Sequence, residues 1–287
     1  MEIVSDPQEM WALAVGWRAR RLVIALVPTL GYFHEGHLSL MEYGKTISDK
    51  LVVSLFVNPA QFGPGEDLER YPRNLEGDAA LARAVGVDLL YTPKAAAMYP
   101  PGYQTFVEVE QLSRGLCGAS RPGHFRGVAT VVLKLFNQVQ PHAAIFGEKD
   151  YQQLVVIKRL AADLDLPLTV VGRPIVRDPD GLALSSRNTY LSREERSAAL
   201  CLHQALRAAR RLAGNRVTSR EQILQTVSKI ITQAPFTRID YLALVNPDTL
   251  EEVEAVHGES RLLLAVWVGQ TRLIDNMMLR ESPACCV

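Results

Sequence analysis

The sequence predicts an α/β fold: a parallel sheet domain with helices on both faces, followed by a smaller α+β domain. Three observations carry that prediction. Apolar runs of strand length alternate with helix-period segments through the first part of the chain. Polar or glycine-containing clusters follow several of those runs, where ligands sit on a parallel sheet. After Arg173-Pro174 the character changes, and a turn-rich loop leads into long amphipathic segments.

The strand candidates of the first part are residues 22–27, 51–57, 88–92, 143–146 and 168–171. Helical patterns lie between them at 37–47, 75–85, 128–139 and 151–164. Strands joined by helices in this way form a parallel sheet buried on both faces, a Rossmann-like arrangement. Beyond Arg177-Asp178-Pro179-Asp180-Gly181 and Leu184-Ser185-Ser186-Arg187-Asn188, two helices are predicted over 193–213 and 221–232. Strands follow at 239–245, 261–268 and 272–278. The domains are therefore expected at 1–176 and 177–287.

Composition narrows the function classes. The chain has 287 residues, of which 48% are hydrophobic, enough for one substantial core and a smaller one. Lys plus Arg and Asp plus Glu both number 31, so the formal charge balances, and an obligate nucleic-acid binder loses ground. Arg207-Ala208-Ala209-Arg210-Arg211 reads as the solvated face of a helix. The start of the chain lacks a basic region followed by an apolar core, and no apolar run is long enough to cross a bilayer, so a cytoplasmic protein without membrane contact is expected. Cys117, Cys201, Cys285 and Cys286 form no metal or disulfide framework and read as free thiols.

The most informative stretch is Pro28-Thr29-Leu30-Gly31-Tyr32-Phe33-His34-Glu35-Gly36-His37, directly after the first strand. A buried strand entering a glycine-containing turn and then a helix is how a nucleotide phosphate site is built. Amides at a helix N-terminus and the helix dipole favour an anion there, and histidines add donors that can follow charge onto a reacting phosphate oxygen. A structural pair of capping or core histidines is the plainer alternative. The metal reading is weak, because zincins use His-Glu-x-x-His and this stretch is His-Glu-x-His.

Other loops carry compatible chemistry, each with a plainer reading beside it. Gly147-Glu148-Lys149-Asp150 ends a strand and opens a helix, where a lysine can reach a phosphate; it also reads as a charge run capping that helix. Ser185-Ser186-Arg187 offers hydroxyls and a guanidinium for phosphate oxygens, or is an ordinary polar loop. Asn58 and Gln61 suit the hydroxyl and carboxylate groups of a small substrate, although asparagine before proline also starts turns. Arg121 and His124 precede a long apolar helix and could close over a site or lie on the surface. Asp78, on a predicted helix, could hold Mg2+ directly or through water, or face solvent. Several separate loops with such chemistry, most of them at strand ends, favour a site.

Taken together, these segments resemble the pantoate beta-alanine ligase family of the HxGH nucleotidyltransferase superfamily. The resemblance rests on residues 27–40, on Phe56-Val57-Asn58-Pro59-Ala60-Gln61-Phe62-Gly63, on Glu66-Asp67-Leu68-Glu69-Arg70-Tyr71-Pro72-Arg73, and on residues 146–153 and 180–188, in family order. It implies ATP-dependent ligation through a pantoyl adenylate, releasing pyrophosphate and then AMP, with Mg2+ and a homodimer. It also implies that Leu30, Gly31, Tyr32, Phe33, His34, Glu35, Gly36 and His37 bind ATP, His37 standing where the family has a proton donor. Gly147, Glu148, Lys149, Asp150, Val176 and Leu184 would join them around the nucleotide. Lys149, Ser185, Ser186 and Arg187 would stabilise the phosphates in the transition state. Gln61 and Gln153 would hold pantoate, with Gln61 also facing beta-alanine, Asn58 supporting the acid, and Arg121 and His124 in a flexible wall. Leu30 and Leu184 replace methionines usual in the family, conserving volume. Gly77 replaces an acidic residue beside Asp78, which leaves the metal position the least supported. The rival readings are another HxGH nucleotidyltransferase and a catalytically silent nucleotide-binding protein with the same fold.

Overall fold

The computed structural model describes residues 1–279, so Cys285 and Cys286 lie outside the described residues. The chain divides into two compact units. The first comprises Met1–Glu148 and Gln152–Val176; the second comprises Lys149–Tyr151 and the chain from Arg177 onward. Lys149–Tyr151 therefore pack with the second unit, although in sequence they sit inside the first.

In the first unit the elements run β1 (Glu2–Val4), α1 (Pro7–Ala19), β2 (Ile24–Thr29), α2 (Glu35–Ile47), β3 (Lys50–Leu55), α3 (Leu75–Val85) and β4 (Leu89–Tyr91). The short α4 (Ala95–Met98) and α5 (Cys117–Ser120) precede α6 (His124–Val139), β5 (Ala143–Gly147), α7 (Tyr151–Asp163, its first residue in the second unit) and β6 (Thr169–Arg173). The six strands are parallel in the order β1-β4-β3-β2-β5-β6. Strand alternation sorts the core. Ala25, Val27, Leu51, Val53 and Leu90 meet Leu38 and Met41 of α2 and Ala79 and Ala82 of α3 on one face.

β1 and α1 were outside the sequence expectation for physical reasons. Three residues are too few to establish an alternating pattern. Helix α1 buries Met10, Ala14 and Trp17 but leaves Trp11 and Val15 exposed, which blurs its apolar stripe. Its start is nevertheless well specified, because Asp6 accepts the amides of Gln8 and Glu9 and Pro7 stands in the first turn.

The order of the sheet locates the ligand edge. From β2 the chain moves to β3 on one side and later to β5 on the other, so β2 and β5 flank the switch point. Their ladder pairs Ala25 with Ala143 and Leu26 with Ala144, whereas β2 continues to Thr29 and β5 to Gly147. The loops after β2, β3 and β5 leave from the same end of the sheet.

The second unit contains α8 (Arg193–Gly214), α9 (Arg220–Thr232) and the antiparallel strands β7 (Thr237–Val245), β8 (Arg261–Val268) and β9 (Thr271–Met278), ordered β7-β8-β9. Ser192 and Glu195 form a capping box at the start of α8. Leu202, Leu206, Ile223, Val227, Leu262 and Leu264 lie in its core.

Candidate active site

The turn after β2 is shaped by two consecutive residues in the left-handed region, Gly31 at φ 94° and Tyr32 at φ 56°. Glycine suits the first of these positions because a Cβ there would stand 3.1 Å from Asp78 Oδ2 and from Leu55. This backbone turns successive amides toward one side, as an anion-binding nest does. The anion is internal: Tyr32 N–H donates to Asp78 Oδ2 at 2.7 Å and Phe33 N–H to Oδ1 at 2.6 Å. Asp78 is 3% exposed. Burial raises its pKa, and the Phe33 and Tyr32 amides offset only part of that rise.

Asp78 does not face solvent; it anchors the loop from the first turn of α3 with both carboxylate oxygens. The Tyr32 and Phe33 amides are turned onto that carboxylate.

The two loop histidines cap α2 reciprocally. His34 is the N-cap and its Nδ1 accepts the Gly36 amide at 3.2 Å, while His37 Nδ1 accepts the His34 amide at 3.4 Å. The rings lie together, with centroids 4.1 Å apart. An imidazole nitrogen that accepts from a backbone N–H carries no proton, so each ring's proton is on Nε2. The capping reading and the phosphate-donor reading are therefore compatible: the cap uses Nδ1 and orients an Nε2–H donor. Glu35, between them in chain order, is exposed.

The turn after β3 is a single 3-10 turn, Pro59–Gln61, capped by Asn58. Asn58 is completely buried, and its amide is fixed by backbone groups of unambiguous polarity. Oδ1 accepts the Ala60 amide at 3.3 Å, and Nδ2 donates to the Gly127 carbonyl at 3.1 Å. Nδ2 also donates to Gln61 Oε1 at 3.0 Å. With Oε1 taken by Asn58, the donor end of the Gln61 side chain is its amide nitrogen, chemically suited to a carboxylate or hydroxyl oxygen.

Gly127 is what lets α6 approach this turn. A Cβ there would stand 2.2 Å from the Ala60 carbonyl oxygen and 2.7 Å from Gln61 N. From the start of α6, His124 Nδ1 donates to the Gln61 carbonyl at 2.8 Å. Arg121 Nη2 donates to the same oxygen at 3.2 Å, and Nη1 donates to His124 Nε2 at 3.1 Å. A carbonyl only accepts and a guanidinium only donates, so the His124 proton is on Nδ1, opposite to the loop histidines.

Arg121 is itself clamped by Glu66, with Nε donating to Oε1 at 2.7 Å. Burial acts to raise the Glu66 pKa, but the Arg121 hydrogen bond and charge, helped by Gly63 and His124, outweigh it and hold the carboxyl below its ordinary value. Gln153 is half-buried on α7. Its neighbour Gln152 is buried and braces the segment before α6, accepting from Cys117 N–H and donating to the Leu112 and Gly115 carbonyls.

In the second unit, Lys149 Nζ lies 3.2 Å from Asp150 Oδ2. The Lys149 carbonyl accepts from Asn276 Nδ2 on β9, and the Arg261 guanidinium of β8 lies 3.7 Å from the Tyr151 ring centroid. These contacts explain why the three residues belong to that unit. Ser185 accepts the Arg187 amide at 3.3 Å and caps a 3-10 turn, Ser186–Tyr190, in which Ser186 is buried. Leu184 precedes that cap, and Asn188 Nδ2 donates to the Ala183 carbonyl. Arg177 pairs with Asp275 through two hydrogen bonds of 2.6 and 2.8 Å and also donates to the Gly181 carbonyl, which stiffens the entry to this segment. The first unit thus contains His34, His37, Asn58, Gln61, Asp78, Arg121, His124, Gln153, Gly147, Glu148 and Val176. The second contains Lys149, Asp150, Leu184, Ser185, Ser186 and Arg187.

Sequence reasoning missed the supporting residues. A glycine inside an apolar helical run, as at Gly127, is a readable sign of close approach. The contributions of Glu66 and Gln152 come from contacts distant in sequence.

Residues 2–278 match the family model described as pantoate-beta-alanine ligase. The pantothenate synthetase of Trichlorobacter lovleyi is 53% identical over 99% of this chain and 100% of its own length. That of Syntrophus aciditrophicus is 54% identical over 98% and 99%. The crystal structure of pantothenate synthetase from Thermus thermophilus superposes with a TM-score of 0.93 at 47% identity, covering 98% of this chain and 100% of that one. The pantoate-beta-alanine ligase of Francisella tularensis, complexed with beta-gamma ATP and beta-alanine, gives 0.82 at 31% identity over 97% and 98%.

Proposed function

The chain belongs to the pantoate-beta-alanine ligase family and is an ATP-dependent ligase of pantoate and beta-alanine, and we propose that it works through a pantoyl adenylate handled by the residues described above. In the first step the pantoate carboxylate oxygen bonds to the α-phosphorus of ATP and the bond to the bridging oxygen breaks, releasing pyrophosphate. In the second, the beta-alanine amine bonds to the acyl carbon, its proton is lost, and AMP leaves with the former carboxylate oxygen.

Negative charge builds on the α-phosphoryl and bridging oxygens during the first step, so fixed donors aimed there lower the barrier without a covalent nucleophile. The observation that carries this reading is the His34–His37 capping box, which sets two Nε2–H donors at the end of β2. Donors already held by their own helix need little reorganisation as charge develops. Lys149, Ser185, Ser186 and Arg187 add cationic and hydroxyl donors toward the phosphates. Leu30, Gly31 and the β5 end from Gly147 to Asp150, with Val176 and Leu184, line the nucleotide. The Gln61 amide nitrogen and Gln153 hold the acid, with Arg121 and His124 securing the Gln61 backbone.

Mg2+ enters this proposal as the companion of ATP. Among the described residues no group of three or more His, Cys, Asp and Glu side chains is placed to hold a metal ion. Asp78 has a backbone amide on each oxygen. The donor set therefore fits an ion carried mainly by phosphate oxygens and water. No helix of the described residues is long and apolar enough to cross a membrane; we further propose a cytoplasmic homodimer, whose mass sedimentation would measure.

The test of mechanism is pyrophosphate exchange. Purified protein with ATP and Mg2+ should exchange labelled pyrophosphate into ATP only when pantoate is present, and should release net AMP only when beta-alanine is added. Exchange that ignores pantoate, or that requires beta-alanine, would sink the adenylate reading.

A further inference from the structure

The hydrogen bonds that orient Asn58 do not end at backbone groups. The Tyr99 hydroxyl, on the residue following α4, donates to Asn58 Oδ1 at 2.8 Å. That polarity follows from groups that cannot be reversed. The Ala60 N–H makes Oδ1 the acceptor end of the Asn58 amide and the Gly127 carbonyl makes Nδ2 the donor end, so a hydroxyl facing Oδ1 must donate. The chain then runs in one direction, from Tyr99 O–H to Asn58 Oδ1 and from Asn58 Nδ2 to Gln61 Oε1.

The tyrosine is held for this task. Its ring packs edge-on to Tyr103 with centroids 5.1 Å apart, lies 6.5 Å from Phe56, and has the Lys134 ammonium 5.9 Å from its centroid. Burial raises the pKa of its hydroxyl, with Tyr103 adding to that rise and Asn58 opposing it, so the group stays a donor across the working pH range.

We propose that Tyr99 is a positioning residue for the acid substrate, acting through Asn58 to keep the Gln61 amide nitrogen turned toward pantoate. This rests on the reading of Gln61 as a pantoate ligand. Without the Tyr99 hydroxyl, Asn58 Oδ1 keeps only the 3.3 Å contact from Ala60; the Ala60 amide and the Gly127 carbonyl still set the polarity of the Asn58 amide, but its rotation is held less firmly. A looser Asn58 Nδ2 holds Gln61 Oε1 less firmly, so the Gln61 amide nitrogen loses its fixed direction toward the acid. Tyr99 itself touches no reacting atom.

A double-mutant cycle with Tyr99→Phe and Gln61→Ala tests this, because phenylalanine keeps the ring packing and removes only the hydroxyl. Tyr99→Phe should raise the pantoate KM about tenfold, the size of one misoriented hydrogen bond, with the ATP KM unchanged within about twofold. In the Gln61→Ala background the same change should have no further effect on pantoate, because the relay has lost its end. Equal effects of Tyr99→Phe in both backgrounds, or a general loss of ATP affinity and thermal stability with it, would overturn the proposal in favour of a packing role. If Gln61→Ala itself leaves the pantoate KM unchanged, the underlying reading of Gln61 fails and the relay fails with it; a shift with Gln61→Ala but none with Tyr99→Phe rejects the relay alone.

Discussion

The turns after β2 and β3 leave neighbouring strands of one sheet yet solve opposite problems of orientation. After β2, the chemistry consists of imidazole rings locked by their own helix, and the backbone beneath them is tied to one buried carboxyl group, Asp78. After β3, the chemistry is a side-chain amide with no intrinsic direction. Its direction comes from neutral neighbours: the Ala60 amide, the Gly127 carbonyl and the Tyr99 hydroxyl acting through Asn58. The histidine tautomers follow the same division. His34 and His37 keep the proton on Nε2, whereas His124 keeps it on Nδ1 to hold the Gln61 carbonyl. Under the proposed roles, a phosphate donor is prepared by local capping alone, whereas an acid-binding amide needs partners brought from α6 and from the segment after α4.

The sharpest break in that comparison is removal of the carboxyl group under the first turn. Asp78→Ala leaves two buried amides without an acceptor, with an expected loss of about 2–4 kcal/mol of stability. The ATP KM should rise at least about tenfold, because the left-handed turn at Gly31 and Tyr32 loses its counterpart and the rings above it lose alignment. Asp78→Asn retains one acceptor but sets an amide N–H against the other backbone donor, so it should recover only part of the loss. Wild-type-like ATP kinetics in Asp78→Ala would show that the histidine cap holds the loop alone. The sign of the titration adds a second check. Because the folded carboxyl has a raised pKa, native protein binds this proton more readily than unfolded protein. The Asp78 contribution to stability therefore falls as pH rises from the ordinary carboxylate value through the raised one.

Gly127→Ala attacks the second turn from its packing side. The added Cβ would lie 2.2 Å from the Ala60 oxygen, and backbone on both sides means that a helix or a turn must shift. Overpacking of this kind costs about 1–3 kcal/mol. The pantoate KM should rise about tenfold or more while ATP-dependent parameters change little, a split read from initial-rate kinetics with each substrate varied. Parallel losses for both substrates would mean that the two turns are not independently built.

The sequence was most legible where one element carries its own signal. Helix α3 and strand β8 occupy the expected residues 75–85 and 261–268, because each has a continuous apolar pattern with distinct ends. β2 runs from 24 to 29 rather than 22 to 27, because Pro28 and Thr29 read as the start of a turn although both pair with β3. The histidines, Asn58, Gln61 and Lys149 were visible as chemistry. Their internal partners were not: Tyr99 reaches Asn58 across 41 positions and Asp78 reaches Tyr32 across 46. No local period encodes such pairs. The anchoring role of Asp78 was hidden for the same reason, since its amide partners meet it only when α3 packs beside the loop.

The smallest expected effect tests whether the β3 side depends on charge at all. Glu66 clamps the bracing Arg121, and the pair is partly exposed, so its worth should be at or below about 1 kcal/mol. Its folded carboxyl lies below the ordinary value, so the unfolded chain takes up this proton first as pH falls. The stabilisation is accordingly present above the ordinary glutamate value and is lost as pH drops through the lowered one. Glu66→Gln keeps an oxygen for Arg121 Nε but removes the titration, so denaturant midpoints between about pH 5 and 3 should decline less steeply in the variant than in the parent protein. Its pantoate KM near neutrality should rise only about two- to threefold, because His124 still holds the Gln61 carbonyl when Arg121 loosens. An unchanged acid slope would place that stability elsewhere, and a tenfold loss of pantoate affinity would make carboxyl anchoring common to both turns.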